Sequence, residues 1–148
     1  MTKRFNQMPF TISDRCIGCS VCKKICPADA IKGEKGKLHK INPDACYECS
    51  ACGRICPQSA VKNAEGKFIE RIRIRKNWPK PSVDLTKCMS CNICIDACPR
   101  ACLELQYTMD TADKKGFPVL ARSRNCIGCE FCAAACPVEA IVMTTKRA

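Results

Sequence analysis

Sixteen cysteines fall into four copies of one run, Cys-x-x-Cys-x-x-Cys-x-x-x-Cys-Pro. The copies are Cys16-Cys19-Cys22-Cys26-Pro27, Cys46-Cys49-Cys52-Cys56-Pro57, Cys88-Cys91-Cys94-Cys98-Pro99 and Cys126-Cys129-Cys132-Cys136-Pro137. Thiolate sulfur is a soft anionic donor, and three cysteines spaced by two residues can wrap one face of an iron–sulfur cubane while main-chain amides point at its sulfides. The remaining corner faces away from the triplet and is reached by the Cys-Pro cysteine of a partner run. Four runs therefore imply four [4Fe–4S] clusters. Zinc also uses Cys-x-x-Cys, but as separated pairs, and a triplet followed by Cys-Pro is hard to close into tetrahedra.

The positions between the cysteines repeat as well. Before the third cysteine stand Val21, Ala51, Ile93 and Phe131; before the fourth stand Ile25, Ile55, Ala97 and Ala135. Five residues past the fourth cysteine come Ile31, Val61, Leu103 and Ile141, aliphatic side chains suited to roofing a cluster and excluding water. A seventeenth cysteine, Cys102, occupies the place of Ala30, Ala60 and Ala140 and reads as a small buried filler. His39, the only histidine, lies between Lys37 and Lys40 and reads as a solvated surface residue.

These elements need little secondary structure to hold them. Helix is expected for about two turns starting near each third cysteine, with each Cys-Pro step ending it. In the first half Ile31 to Lys32 and Leu38 to Ile41 bracket a hairpin turn at Gly33-Glu34-Lys35-Gly36. In the second half Leu103, Leu105, Tyr107 and Met109 alternate, Asp110 to Gly116 turn, and Val119 to Ala121 return. The fold class is α+β: two tandem modules of short β-hairpins and short helices built around clusters, residues 1–66 and 82–148. Between them, residues 67–81 carry an Arg-Ile-Arg-Ile-Arg alternation ending at Trp78-Pro79-Lys80-Pro81. That pattern predicts a half-buried basic linker strand, either a charge-protected sheet edge or a docking strip for an acidic partner.

Composition agrees with metal-centred modules. Only 29 of 148 residues are Ile, Leu, Val or Phe, and domains of roughly 70 residues usually need a metal or disulfide staple. A secreted disulfide scaffold fits poorly with an odd cysteine count and with a start, Met1 to Phe10, that lacks an apolar core and a cleavage site. No run of residues is apolar enough for a membrane span, and the expected location is the reducing cytoplasm. The formal charge of +11 suggests nucleic acid only while cysteines count as neutral. Each oxidised cubane with four thiolates carries about −2, so four sites leave roughly +3.

Each half resembles a bacterial-type two-cluster ferredoxin, and the whole resembles a polyferredoxin, the four-cluster subunit of a larger oxidoreductase. The resemblance implies that Cys16, Cys19, Cys22 and Cys56 hold the first cluster, and Cys46, Cys49, Cys52 and Cys26 the second. It likewise implies that Cys88, Cys91, Cys94 and Cys136 hold the third, and Cys126, Cys129, Cys132 and Cys98 the fourth. Some members carry aspartate at the middle cysteine and a three-iron cluster; Cys19, Cys49, Cys91 and Cys129 are all present here, so only four-iron centres are expected. Some four-cluster subunits nest their runs, first with fourth and second with third. Regular spacing within each half and the proline-stiffened junction favour tandem pairing.

A cubane with cysteine on every iron has no open coordination site, and no catalytic residue set or nucleotide-binding loop stands elsewhere. The expectation is an electron-transfer protein with no catalytic site of its own. A row of clusters suits a wire inside a multi-subunit oxidoreductase, such as a tungsten or molybdenum aldehyde or formate enzyme or a hydrogenase. The alternatives are a freely diffusing carrier and, from another class, a nucleic-acid-associated iron–sulfur module. The expected partners are redox proteins, with self-association into oligomers or filaments also open. Counting cations between third and fourth cysteines, Lys23, Lys24 and Arg54 against none in the later runs, predicts that the second half is harder to reduce.

Overall fold

The computed structural model describes residues 10–107 and 115–145; Met109 and most of the turn expected from Asp110 to Gly116 lie outside them. The chain divides between Arg73 and Ile74 into two compact units.

In the first unit the order is β1 (Thr11–Ile12), α1 (Val21–Ile25), β2 (Ile31–Lys32), β3 (Lys40–Ile41), α2 (Ala51–Ile55) and β4 (Val61–Lys62). The second repeats it: β5 (Lys80–Val83), α3 (Ile93–Ala97), β6 (Leu103–Tyr107), β7 (Gly116–Leu120), α4 (Phe131–Ala135) and β8 (Ile141–Thr144). In each unit the first strand pairs antiparallel with the last and the two middle strands form a hairpin. The register sets Ile12 opposite Val61 and Val83 opposite Ile141. The two helices of each unit pack on each other, α1 on α2 and α3 on α4.

Every helix is five residues long, shorter than the two turns expected, and opens one residue before a third cysteine. Cys26, Cys56, Cys98 and Cys136 leave the helical region for extended backbone, because the following proline disfavours helix at the residue before it. So short a helix has no stability of its own. What it buries is sulfur: Cys22, Cys52 and Cys56 share the first unit's core with Phe10, Ile31 and Val61. Cys94 and Cys132 share the second unit's core with Leu103 and Ile141.

Three left-handed residues recur in each run. They are Gly18, Glu48, Ser90 and Gly128 before the second cysteine; Ser20, Ser50, Asn92 and Glu130 after it; and Asp29, Ser59, Ala101 and Glu139 three past the fourth. Ten of these twelve are not glycine, and each such residue costs of order 1 kcal/mol or more. Successive backbone reversals of this kind make concavities that favour anions.

The linker is not one strand. Phe68 forms a single bridge with Lys62, Ile69 N–H donates to the Val61 carbonyl, and Ile72 N–H donates to the Arg54 carbonyl. Arg75–Asn77 then form a 3-10 turn, and β5 begins at Lys80, ahead of Pro81 rather than after it. The alternation fails because Ile74 is exposed, while the buried or half-buried Ile69 and Trp78 belong to different units. Gly53 permits the Ile69 contact: a Cβ there would lie 2.5 Å from Ile69 Cβ.

Candidate metal centres

Four cysteines of the first half, Cys16, Cys19, Cys22 and Cys56, line one open cavity of about 330 Å³ together with Ile12, Ile17 and Val61. Cys26, Cys46, Cys49 and Cys52 line a second of about 360 Å³ with Phe10, Ile31 and Ile41. In each cavity three cysteines come from one run and the fourth from the Cys-Pro of the other. The pairing of β1 with β4 and of α1 with α2 produces this exchange, since it sets each Cys-Pro step beside the opposite triplet.

In the second unit, Cys98, Cys126 and Cys129 all lie close enough to repel a thiolate on Cys132. Cys88 and Cys91 do the same to Cys94, and Cys136 packs against the core that holds Cys94. Burial pushes the Cys22 thiol up to about 11 and those of Cys52 and Cys132 up to about 12, with neighbouring cysteines adding to the rise. Such sulfur stays protonated at neutral pH unless a cation compensates it.

Main-chain amides converge on the sulfurs. Ala30, Ala60, Cys102 and Ala140 donate N–H to Cys26, Cys56, Cys98 and Cys136 Sγ at 3.3, 3.4, 3.3 and 3.2 Å. Gly18 and Glu48 donate to Cys16 and Cys46 Sγ, both at 3.4 Å. These donors favour a charged sulfur. Beside Cys91 in sequence, Ser90 Oγ is buried with no partner among the described residues. The chemistry of the donor set thus fits iron–sulfur cubanes. Zinc needs four ligands about 2 Å from one point, and among the described residues no three Cys, His, Asp or Glu side chains close around such a point.

The expected roof residues Ile31, Val61, Leu103 and Ile141 are all buried. Of the residues before the third cysteine, Ala51 is buried, Val21 and Phe131 are half-buried and Ile93 is 44% exposed. Cys19 and Cys91 are the exposed cysteines.

Two features depart from the sequence reading. His39 is 1% exposed, not solvated: Nε2 lies 3.1 Å from Ser20 Oγ and Nδ1 lies 3.0 Å from the Lys37 carbonyl. The hairpin folds back along Gly18 to Ser20, where Gly36 N–H donates to the Gly18 carbonyl at 2.9 Å, and this closes over the ring. The cation count also changes. Lys80 Nζ reaches the carbonyls of Ser123 and Cys126 at 2.9 and 2.8 Å, and Arg75 stacks on buried Trp78 at 4.3 Å. Counting only between cysteines misses both, since the linker supplies them from outside the motif.

No helix among the described residues is long and apolar enough to cross a membrane. Models of the 4Fe-4S dicluster domain match residues 7–63, 45–103 and 87–140. The middle match overlaps both others, as expected when all four runs share one pattern. The subunit PorD of pyruvate synthase from Methanothermobacter marburgensis is 34% identical over 68 residues, 46% of this chain and 69% of that protein. Subunit I of NADH-quinone oxidoreductase from Pelobacter propionicus is 38% identical over 66 residues, 39% of this chain but 33% of its own length. YsaA of Escherichia coli, provisionally named an electron transport protein, is 28% identical over 143 residues, 93% of this chain and 68% of its own. On its repeated cysteine runs, these domain matches and these relatives, the chain belongs to the 4Fe–4S ferredoxin-type family and is an iron–sulfur electron-transfer protein.

Proposed function

We propose that this chain carries four [4Fe–4S] clusters and serves as the electron wire of a multi-subunit oxidoreductase, with the catalytic site on a partner. Cys16, Cys19, Cys22 and Cys56 would hold one cluster, and Cys26, Cys46, Cys49 and Cys52 another. In the second unit Cys88, Cys91, Cys94 and Cys136 would hold a third, and Cys98, Cys126, Cys129 and Cys132 a fourth. When bound, such clusters supply one-electron transfer. The cysteines fix them, the roof aliphatics exclude water, and the amides on Cys26, Cys56, Cys98 and Cys136 balance thiolate charge.

The observation that carries this reading is the exchange of Cys-Pro cysteines between the two cavities of the first unit. It is supported by two relatives whose names make them subunits of pyruvate synthase and NADH-quinone oxidoreductase. Electrons would cross the surface at Cys19 and Cys91. Each is accompanied by exposed apolar residues of its own run: Ile17 at 57%, and Met89 and Ile93 at 60% and 44%. Such exposed apolar residues suit contact with a protein partner.

Anoxic purification of the native protein with its partners tests the proposal. About sixteen iron atoms per chain, co-eluting with a larger oxidoreductase, is the expected result. A monomer-sized species that supports full activity when added in trans would instead establish a freely diffusing carrier.

A further inference from the structure

Each unit sets a cation on the main-chain carbonyl of a cysteine from its second triplet. In the first unit Arg54 Nη2 donates to the Cys49 carbonyl at 3.1 Å, and Arg54 is only 8% exposed. In the second unit the corresponding position is Ala134, and the cation comes from outside the motif. Lys80 Nζ donates to the Cys126 carbonyl at 2.8 Å across 46 residues of sequence. Arg75 adds a second charge there, donating to the Arg124 carbonyl at 3.5 Å while close enough to act on Cys126. Two residues past the third cysteine of the other runs stand exposed Lys24 and exposed Asp96. The third run has Ser90 Oγ, a neutral donor of about half the strength of a charged one.

We propose that Arg54 and Lys80 are equivalent tuning residues that make the second cluster of each unit the easier one to reduce, so that an electron arriving at the Cys19 or Cys91 cluster moves toward it. The added electron makes a reduced cubane more negative, and a nearby cation stabilises that form. A buried or half-buried charge is screened by salt far less than the exposed lysines of α1. Apolar burial acts in the opposite direction, and the cations outweigh it at both second clusters. The step balances simply: one electron leaves the first cluster of the unit, which returns to its oxidised form, and reduces the second. No bond forms and no proton moves.

The inference rests on the ligand sets proposed above, and iron content with the number of intact cubanes tests those separately. The test of the tuning itself is redox titration of the full, cluster-loaded chain followed by electron paramagnetic resonance. Arg54→Gln should lower one of the four potentials and Lys80→Gln a different one. Each should make reduction about tenfold less favourable, about 59 mV for a one-electron couple. Arg54→Lys and Lys80→Arg should keep the wild-type values. Unchanged potentials at full iron content, or four potentials falling together, would overturn the proposal. So would finding that the affected cluster was the harder one of its unit to reduce. Should Arg54→Gln lose iron, Lys80→Gln, altered at the first residue of an edge strand, decides alone: an unmoved potential there rejects the idea.

Discussion

The main-chain N–H of Cys102 donates to Cys98 Sγ at 3.3 Å, while its carbonyl accepts the N–H of Arg122 at 3.1 Å. Ala30, Ala60 and Ala140 make the same pair of bonds, their carbonyls accepting from Asn42, Ser13 and Asp84. The slot therefore uses mainly the backbone of its occupant, and all four residues are at most 1% exposed; Cys102 adds one weak S–H donation from Sγ to the Arg100 carbonyl at 3.6 Å.

Cys102→Ala should accordingly leave iron content, spectra and potentials unchanged. Stability should move by no more than about 1 kcal/mol, since the change removes one small buried atom. Cys102→Val should destabilise by about 1–3 kcal/mol through overpacking. Thermal unfolding of the cluster-loaded protein, with iron and sulfide assays beside it, checks both. Loss of four iron atoms in Cys102→Ala would make this cysteine a ligand instead.

Gly18 and Glu48 hold equivalent left-handed positions with different demands. A Cβ on Gly18 would lie 2.4 Å from Lys37 N and 2.6 Å from Gly36 N. Gly18→Ala should push the β2–β3 hairpin away, break the Gly36 to Gly18 hydrogen bond and cost about 2 kcal/mol or more. Glu48→Gly relieves a side chain held at φ +57° and should be neutral or stabilising by up to about 1 kcal/mol. Cluster-loss rates of the two variants on mild heating should move in opposite directions or, for Glu48→Gly, not at all.

Much of this architecture could be read from local pattern. The roof aliphatics and the helix stops at Cys-Pro follow from the spacing of one run and the residues just past it. The hairpins follow from the strand patterns between runs, although β7 begins at Gly116, a residue expected in the turn, and not at Val119. Three features could not be read that way. His39 looks solvated among lysines, but its burial depends on the hairpin crossing Gly18 to Ser20. Lys80 looks like linker charge until β5 pairs with β8 and brings it over Cys126. The Arg-Ile repeat had strand periodicity but no neighbouring strand to pair with beyond the bridge at Phe68. The one signal in the sequence for the linker's true course was Trp78, a large apolar side chain that has to be covered.

His39 is held by a hydroxyl next to Cys19 and by a carbonyl of its own hairpin. His39→Ala should leave Ser20 Oγ and the Lys37 carbonyl without these partners and open a cavity, at a cost of about 2–4 kcal/mol. His39→Gln, which can reach one of the two, should recover part of it. The damage should be local: the first unit should shed clusters sooner on heating while the spectra of the second unit's clusters persist. Equal loss from both units would refute a local bracing role.

The tandem ligand sets make a prediction that iron counting alone cannot mimic. In tandem pairing Cys19 and Cys56 belong to one cluster, whereas Cys19 and Cys136 belong to two. The double variant Cys19→Ala/Cys56→Ala should therefore lose one intact cubane, and Cys19→Ala/Cys136→Ala should lose two. If the runs were nested, first with fourth, the outcomes would exchange. Both variants remove the same number of thiolates from the full chain, so general destabilisation moves them together and only the ligand partnership separates them. Mössbauer spectra of iron-57-loaded protein count the surviving cubanes. The cavity that gathers Cys16, Cys19, Cys22 and Cys56 is the physical ground for expecting the tandem result: a triplet can be completed only by a sulfur that the fold has already brought to its open corner.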